Sequence, residues 1–233
     1  MNIYNKTEES YTQQSTYDSY NNFLFSTDRN VFFKMITRIH LFEKIKNLSG
    51  DIVECGVFKG SGMILWLKLL DLHSPHDIRK VIGFDFFDKG FVENLEDEND
   101  KNMMSQVFTR CADLQEEDIS KKGISKKILD CNISRERFEL VKGDISISSR
   151  KFCEERPGFR ISLLYLDVDL EEPTYEALRN LWPRVVSGGI VVFDEAYYHV
   201  WTETNALDRF IKENNVTLVK TNVKSPTAYI IKE

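Results

Sequence analysis

The stretch Asp51-Ile-Val-Glu54-Cys-Gly56-Val-Phe-Lys-Gly60-Ser-Gly62 runs an apolar segment into a glycine-bearing turn, and amphipathic helical sequence follows from about Ser61 to Leu72. A short apolar strand that enters a helix through glycines is the opening unit of an α/β sheet. In such sheets ligands bind outside the carboxyl ends of the strands, near the point where strand order reverses. Upstream, after Ser26, Thr27 and Asp28, apolar residues recur at Phe32, Met35, Ile36, Ile39, Phe42, Ile45 and Leu48, the spacing of an amphipathic helix closed by Gly50. Downstream the pattern predicts strands over 80–85, 138–142, 161–167, 189–194, 216–221 and 228–231, with helices near 174–182 and 205–213. Strands alternating with helices imply parallel pairing by right-handed crossovers. The last two strands lie too close for a helix between them, so an antiparallel hairpin edge is expected. The predicted class is a doubly wound, Rossmann-like α/β sheet with helices on both faces.

Two segments break the pattern. Residues 1–22 are rich in Asn, Ser, Thr, Gln and Tyr and read as a flexible N-terminal arm. Residues 87–135 are charged and irregular, with an acidic run over 93–100 and short helices expected around 103–110 and 124–129; this reads as a lid-like insert. The remainder, 23–233, is expected to form one domain, in keeping with 233 residues of which 42% are hydrophobic.

A formal charge of −6 with no basic cluster argues against nucleic acid or an anionic membrane as partner. No apolar run reaches the roughly 18 to 20 residues that span a bilayer. Four cysteines at irregular spacings suggest neither a zinc site nor a disulfide framework, and reduced thiols in the cytoplasm are expected.

Candidate functional residues fall at strand ends. Glu54, Cys55 and Gly56 close the first strand, and Lys59, Gly60 and Ser61 complete the turn. A nicotinamide fingerprint would place a glycine where Phe58 stands, which leaves less room for a pyrophosphate, whereas an acid before the glycine suits the ammonium of an amino-acid moiety. The same glycines also serve tight strand-to-helix packing. Asp85, followed by Phe86, ends the second strand where a carboxylate accepts ribose hydroxyls or caps a loop. Gly143-Asp144-Ile145 ends the third, with Asp144 facing an adenine amino group or simply closing a turn. Asp167 ends one strand and Asp194 and Glu195 the next. Three carboxylates at a ligand-binding edge repel unless something positive sits among them, and a hard divalent cation is the natural resolution. Asp169 to Glu172 also suit the start of a helix. His199, in the loop after Glu195, is a further candidate for proton transfer.

Residues 50–60, 81–85, 166–174 (Leu-Asp-Val-Asp-Leu-Glu-Glu-Pro-Thr) and 188–195 (Gly-Gly-Ile-Val-Val-Phe-Asp-Glu) together resemble the macrocin O-methyltransferases and their relatives that methylate nucleotide-linked deoxysugars. The likeness runs from about Phe32 to Phe210. It implies an S-adenosylmethionine-binding domain whose acceptor hydroxyl is held by Mg2+ or Mn2+. On this resemblance Glu54, Cys55, Gly56, Lys59, Gly60, Ser61, Asp85, Phe86, Gly143, Asp144, Ile145 and Asp167 form the cofactor site. Asp167, Asp194 and Glu195 match the metal ligands, and Asp169 or His199 takes the proton. Glu195 departs from the second Asp frequent among relatives. The acceptor is expected to be a small molecule, a nucleotide-linked sugar or a glycosylated natural product, and assembly into a homo-oligomer is compatible with the sequence. The rival readings are an NAD-type oxidoreductase and a non-catalytic binding protein that keeps the fold.

Overall fold

The computed structural model describes residues 8–111, 113–198 and 201–233. Seven strands among these form one sheet: β1 Asp51–Cys55, β2 Val81–Asp85, β3 Phe138–Lys142, β4 Ile161–Leu166, β5 Val185–Phe193, β6 Leu218–Lys220 and β7 Ala228–Ile231. Their order is β3-β2-β1-β4-β5-β7-β6. β1 to β5 pair in parallel, and β7 runs antiparallel to both β5 and β6. Strand order reverses between β1 and β4, which opens the switch-point crevice at their carboxyl ends.

The central strands are apolar throughout because both faces are covered. On one face Val53, Cys55, Leu164, Leu166 and Val191 pack with Phe152, Leu178 and Leu207, from α7 (Ile145–Glu155), α8 (Glu171–Leu181) and α9 (Glu203–Asn214). On the other, Ile52, Leu163, Tyr165, Ile190 and Val192 pack with Leu41, Trp66 and Ile128, from α2 (Asn30–Ile45), α3 (Ser61–His73) and α6 (Lys121–Asp130). The alternation along β1 turns Glu54 toward the α2–α3 face.

The mostly parallel sheet with its antiparallel C-terminal edge agrees with the sequence reading. Several details differ. The N-terminal segment read as an arm contains a helix, α1, over Glu8–Leu24. The stretch after Asp144, given no helix above, forms α7, because Asp144 accepts from the Ser146 N–H at 2.8 Å and so caps it. The irregular insert is largely helical: α4 spans Glu98–Arg110 with Asp97 accepting from the Asn99 and Asp100 N–H groups, and a single turn, α5, spans Glu116–Ile119. α6 buries Ile124 and Ile128 in the main core and so serves as the crossover between β2 and β3. The part that stands over the crevice is therefore residues 90–110, whose Val92 and Met104 form a small separate cluster with Leu170.

Candidate active site

At the carboxyl ends of β1 to β5 lies a cavity of about 390 Å³. Its lining combines the apolar Phe58, Phe86, Phe91, Met104, Phe108 and Trp201 with the acidic Asp85, Asp167, Asp169, Asp194 and Glu195. Phe86 stacks on Phe91 with ring centroids 4.4 Å apart, and Phe108 packs edge-on against Phe91, so the insert supplies an aromatic wall.

Gly56 makes the crevice possible. Its φ is +88°, and a Cβ there would stand 1.8 Å from the Asp167 carbonyl oxygen, so the turn after β1 lies against the end of β4 only as glycine. Asp85 organises the same turn: its Oδ2 accepts from the N–H groups of Val57 (2.8 Å) and Phe58 (2.9 Å), and its Oδ1 from Phe87 (2.7 Å). Burial raises the Asp85 pKa, while the three N–H groups work the other way.

Of the predicted cofactor residues, Gly56, Asp85, Phe86, Gly143, Ile145 and Asp167 line the cavity. Cys55 is buried in the core. Lys59, Gly60, Ser61 and Asp144 lie outside the cavity lining, Asp144 because its carboxylate is committed to capping α7. Glu54 also lies outside it: Oε1 meets Arg38 Nη2 at 3.4 Å beneath Gly62, where any Cβ would strike the carboxylate. Burial pushes Glu54 up to about 7 despite Arg38, and its Oε2 has no hydrogen-bond partner.

Asp167, Asp194 and Glu195 line the cavity together with Asp169, although among the described residues no three acids, histidines or cysteines are placed to hold a metal ion. Asp169 holds φ at +65°, which turns the chain sharply after β4 and presents its carboxyl to the cavity. Burial and the neighbouring Asp167, Glu195 and Asp194 raise Asp169 well above the usual carboxylate range, and burial with Asp194 and Asp167 pushes Glu195 up to about 7. Glu203, at the start of α9, is fully buried with neither oxygen partnered, and burial followed by Asp169 raises it well above its ordinary value. His199 lies outside the described residues.

Sequence reasoning missed the cations. Lys34 and Arg38 lie one turn apart on α2. Lys34 Nζ donates to Asp194 Oδ2 at 2.7 Å and to Asp167 Oδ2 at 3.2 Å, while Arg38 Nη2 stands 3.8 Å from Asp167 and its guanidinium lies 4.2 Å from the Tyr165 ring centroid. Burial works against the Lys34 ammonium, yet Asp167 and Asp194 outweigh it and the group is pushed up to about 12. Asp194 also accepts from the Tyr165 hydroxyl and, at 2.7 Å, from Ser225 Oγ. The available signal was the pair of cations at i, i+4 in a helix otherwise read only for its apolar stripe. The insert's contribution to the aromatic wall had no comparable signal.

The comparisons bear on this geometry. The family model described as macrocin-O-methyltransferase (TylF) matches residues 35–232. Demethyldecarbamoylnovobiocin O-methyltransferase of Streptomyces niveus is 29% identical over 151 residues, covering 64% of this chain and 53% of that protein. The 8-demethyl-8-(2,3-dimethoxy-alpha-L-rhamnosyl)-tetracenomycin-C 4'-O-methyltransferase of Streptomyces olivaceus is 31% identical over 150 residues, covering 63% and 52%. The chain thus spans about half the length of the curated relatives it matches. Among solved structures, apo CalS11, described as a TDP-rhamnose 3'-O-methyltransferase of calicheamicin biosynthesis, matches with a TM-score of 0.71 at 23% identity, over 98% of this chain and 96% of that one. The O-methyltransferase NovP matches with a TM-score of 0.68 at 22% identity, over 83% and 78%. At these identities the structural likeness establishes the fold, and the match to nearly the whole chain establishes the family: the protein belongs to the macrocin-O-methyltransferase (TylF) family.

Proposed function

We propose that this protein is an S-adenosylmethionine-dependent O-methyltransferase acting on a sugar hydroxyl of a small-molecule acceptor, with divalent-cation assistance. The observation that carries the reading is the single cavity that joins the ends of β1, β2 and β3 to the acidic ends of β4 and β5. It offers adjoining places for a nucleoside cofactor and a hydroxylic acceptor. Family membership and the names of the relatives, all sugar or natural-product O-methyltransferases, support the same reading.

The residues fit the cofactor. For the cofactor, Gly56 leaves open backbone beside Asp167, Asp85 keeps one lone-pair site, on Oδ1, for a ribose hydroxyl, and Phe86 and Ile145 provide apolar surface for an adenine. For the cation, Asp167, Asp194 and Glu195 offer oxygen donors of the kind magnesium or manganese takes, but among the described residues no three acids, histidines or cysteines are placed to hold a metal ion, and Lys34 stands between Asp167 and Asp194. Glu195 Oε2 is buried without a partner, and burial, followed by the neighbouring carboxylates, raises Asp167 and Glu195. Bound there, S-adenosylmethionine would supply an electrophilic methyl group, and a cation held by these acids would supply Lewis acidity toward the acceptor hydroxyl.

The chain's own part is to orient the acceptor, exclude water and receive a proton. Asp169, in the cavity wall, accepts the hydroxyl proton at its carboxylate, a role for which a raised pKa is suited; His199 is the alternative base. The aromatic wall of the insert keeps water from the reacting groups. We further read residues 23–233 as one methyltransferase domain, with 1–22 as an arm over the acceptor. Four unpaired cysteines support a cytoplasmic setting, and among the described residues no helix is long and apolar enough to cross a membrane.

The test is methyl transfer from labelled S-adenosylmethionine to a panel of glycosides and nucleotide-linked sugars. Turnover is expected to stop in chelator and return with magnesium or manganese. Asp194→Asn is expected to lose most activity while keeping cofactor affinity. Full activity in chelator, unaltered by added metal, contradicts the cation's role.

A further inference from the structure

Four arginines, Arg150, Arg160, Arg179 and Arg184, line a second hollow of about 300 Å³. Arg150 lies on α7 and Arg179 on α8, while Arg160 and Arg184 lead directly into β4 and β5. The hollow therefore sits at the amino ends of those strands, on the opposite edge of the sheet from the cavity. At a rise of roughly 3.3 Å per residue along β4, the two are about 20 Å apart. Glu154 is the one acid in its lining. In a chain of formal charge −6, the fold thus assembles a basic cluster that no single stretch of sequence contains.

Two of these guanidiniums are held side by side. Arg160 Nη1 and Arg184 Nη1 both donate to the Pro157 carbonyl oxygen, at 3.1 and 2.8 Å. Arg160 Nη1 also donates to the Phe159 carbonyl at 2.7 Å, and Arg184 Nη2 donates to the Cys153 carbonyl at 2.9 Å in the last turn of α7. A guanidinium has five N–H donors, so these backbone bonds use about two on each and leave about three. Among the described residues Arg179 pairs with a carboxylate, Glu176 at 3.1 Å, whereas Arg150, Arg160 and Arg184 form no ion pair. The excess charge is felt nearby: Lys232, which donates to the Trp182 and Val185 carbonyls, has its pKa lowered by burial and then by Arg160. Arginine keeps its charge, so the cluster cannot relieve its repulsion by losing protons. An anion relieves it, and two planar forks fixed on one carbonyl suit the oxygens of a phosphate group.

We propose that this hollow binds a phosphate group, free or carried on a small metabolite, with Arg160 and Arg184 as paired donors and Arg150 facing them from α7. The site is independent of the proposed methyl transfer. A dianion held there neutralises the cluster and ties the end of α7 to the starts of β4 and β5, so it stabilises the folded chain.

The test is isothermal titration of the full chain with inorganic phosphate, pyrophosphate and a hexose 6-phosphate. Ionic strength is held fixed and S-adenosylhomocysteine is present throughout, and the titrations are repeated on Arg150→Gln and Arg160→Gln. Both side chains are exposed, so both variants are expected to fold, which a thermal melt checks. The wild type is expected to bind at least one probe saturably, one molecule per chain, and each variant to bind it about fivefold more weakly or worse. Equal affinity for inorganic phosphate and the hexose phosphate assigns the site to phosphate itself; tighter binding of the hexose phosphate assigns it to a phosphorylated metabolite. Absence of saturable binding of all three probes by the wild type, or affinities equal in the wild type and a folded variant, overturns the proposal.

Discussion

Asp85 serves two purposes that the sequence could not separate. Its three backbone N–H partners make it the organiser of the Gly56 turn, and it also stands in the cavity wall, where the proposed cofactor would place its ribose. Asp85→Ala is therefore expected to weaken S-adenosylhomocysteine binding by about 1 to 3 kcal/mol and to lower the melting temperature as well. Titration calorimetry with a parallel melt checks this, and unchanged affinity in a folded variant contradicts it. Glu54 makes a different prediction. It is buried and pushed up to about 7, so the folded state holds its proton between about pH 4.5 and 7 while the unfolded chain does not. Its contribution to stability is full below about pH 4.5 and is lost as pH rises through about 7. The loss is on the order of 3 kcal/mol. Denaturant melts should therefore decline across this window, and Glu54→Gln should flatten the decline; equal slopes in the two proteins contradict the assignment. The strand-end acids were legible because each follows an apolar run. Lys34 was not, because its partners lie 133 and 160 residues away and helical periodicity carries no information about them.

Among the elements, β1 to β5 and the antiparallel edge could be read from apolar runs and turns, since a strand covered on both faces leaves an unambiguous record. α7 is hard to see in the sequence because Gly143-Asp144-Ile145 reads as a turn of ligand-binding residues, whereas Asp144 is the cap of a helix. The insert was irregular to a periodicity reading because α4 buries little, and α6 within it is an ordinary crossover helix. The loop after β5 is tied to the insert through Thr202, which donates to Asp100 at 3.2 Å and accepts from the Glu171 N–H at 3.0 Å. α1 lies next to α2, with the Phe23 ring 6.2 Å from that of Phe32. These placements lead to a prediction for the N-terminal segment: deleting residues 1–22 should raise the acceptor KM or lower kcat while leaving cofactor affinity nearly unchanged. Steady-state kinetics beside cofactor titration checks it, and equal losses in both contradict it.

For the whole molecule, the decisive feature is that one sheet edge carries two chemistries side by side. The glycine turn and Asp85 lie on the β1–β2 side of the switch point, and the acidic group on the β4–β5 side, with the aromatic wall of the insert over the space between. An NAD-type oxidoreductase would use the same edge differently, with a pyrophosphate against the turn that Phe58 narrows. The two accounts part on what the cavity binds. The most direct measurement is isothermal titration of the full chain with S-adenosylhomocysteine and, separately, with NAD and NADH. The protein is expected to bind S-adenosylhomocysteine saturably, one molecule per chain and more weakly in Asp85→Ala, and to bind neither nicotinamide. Saturable binding of NAD or NADH, with none of S-adenosylhomocysteine, would contradict it.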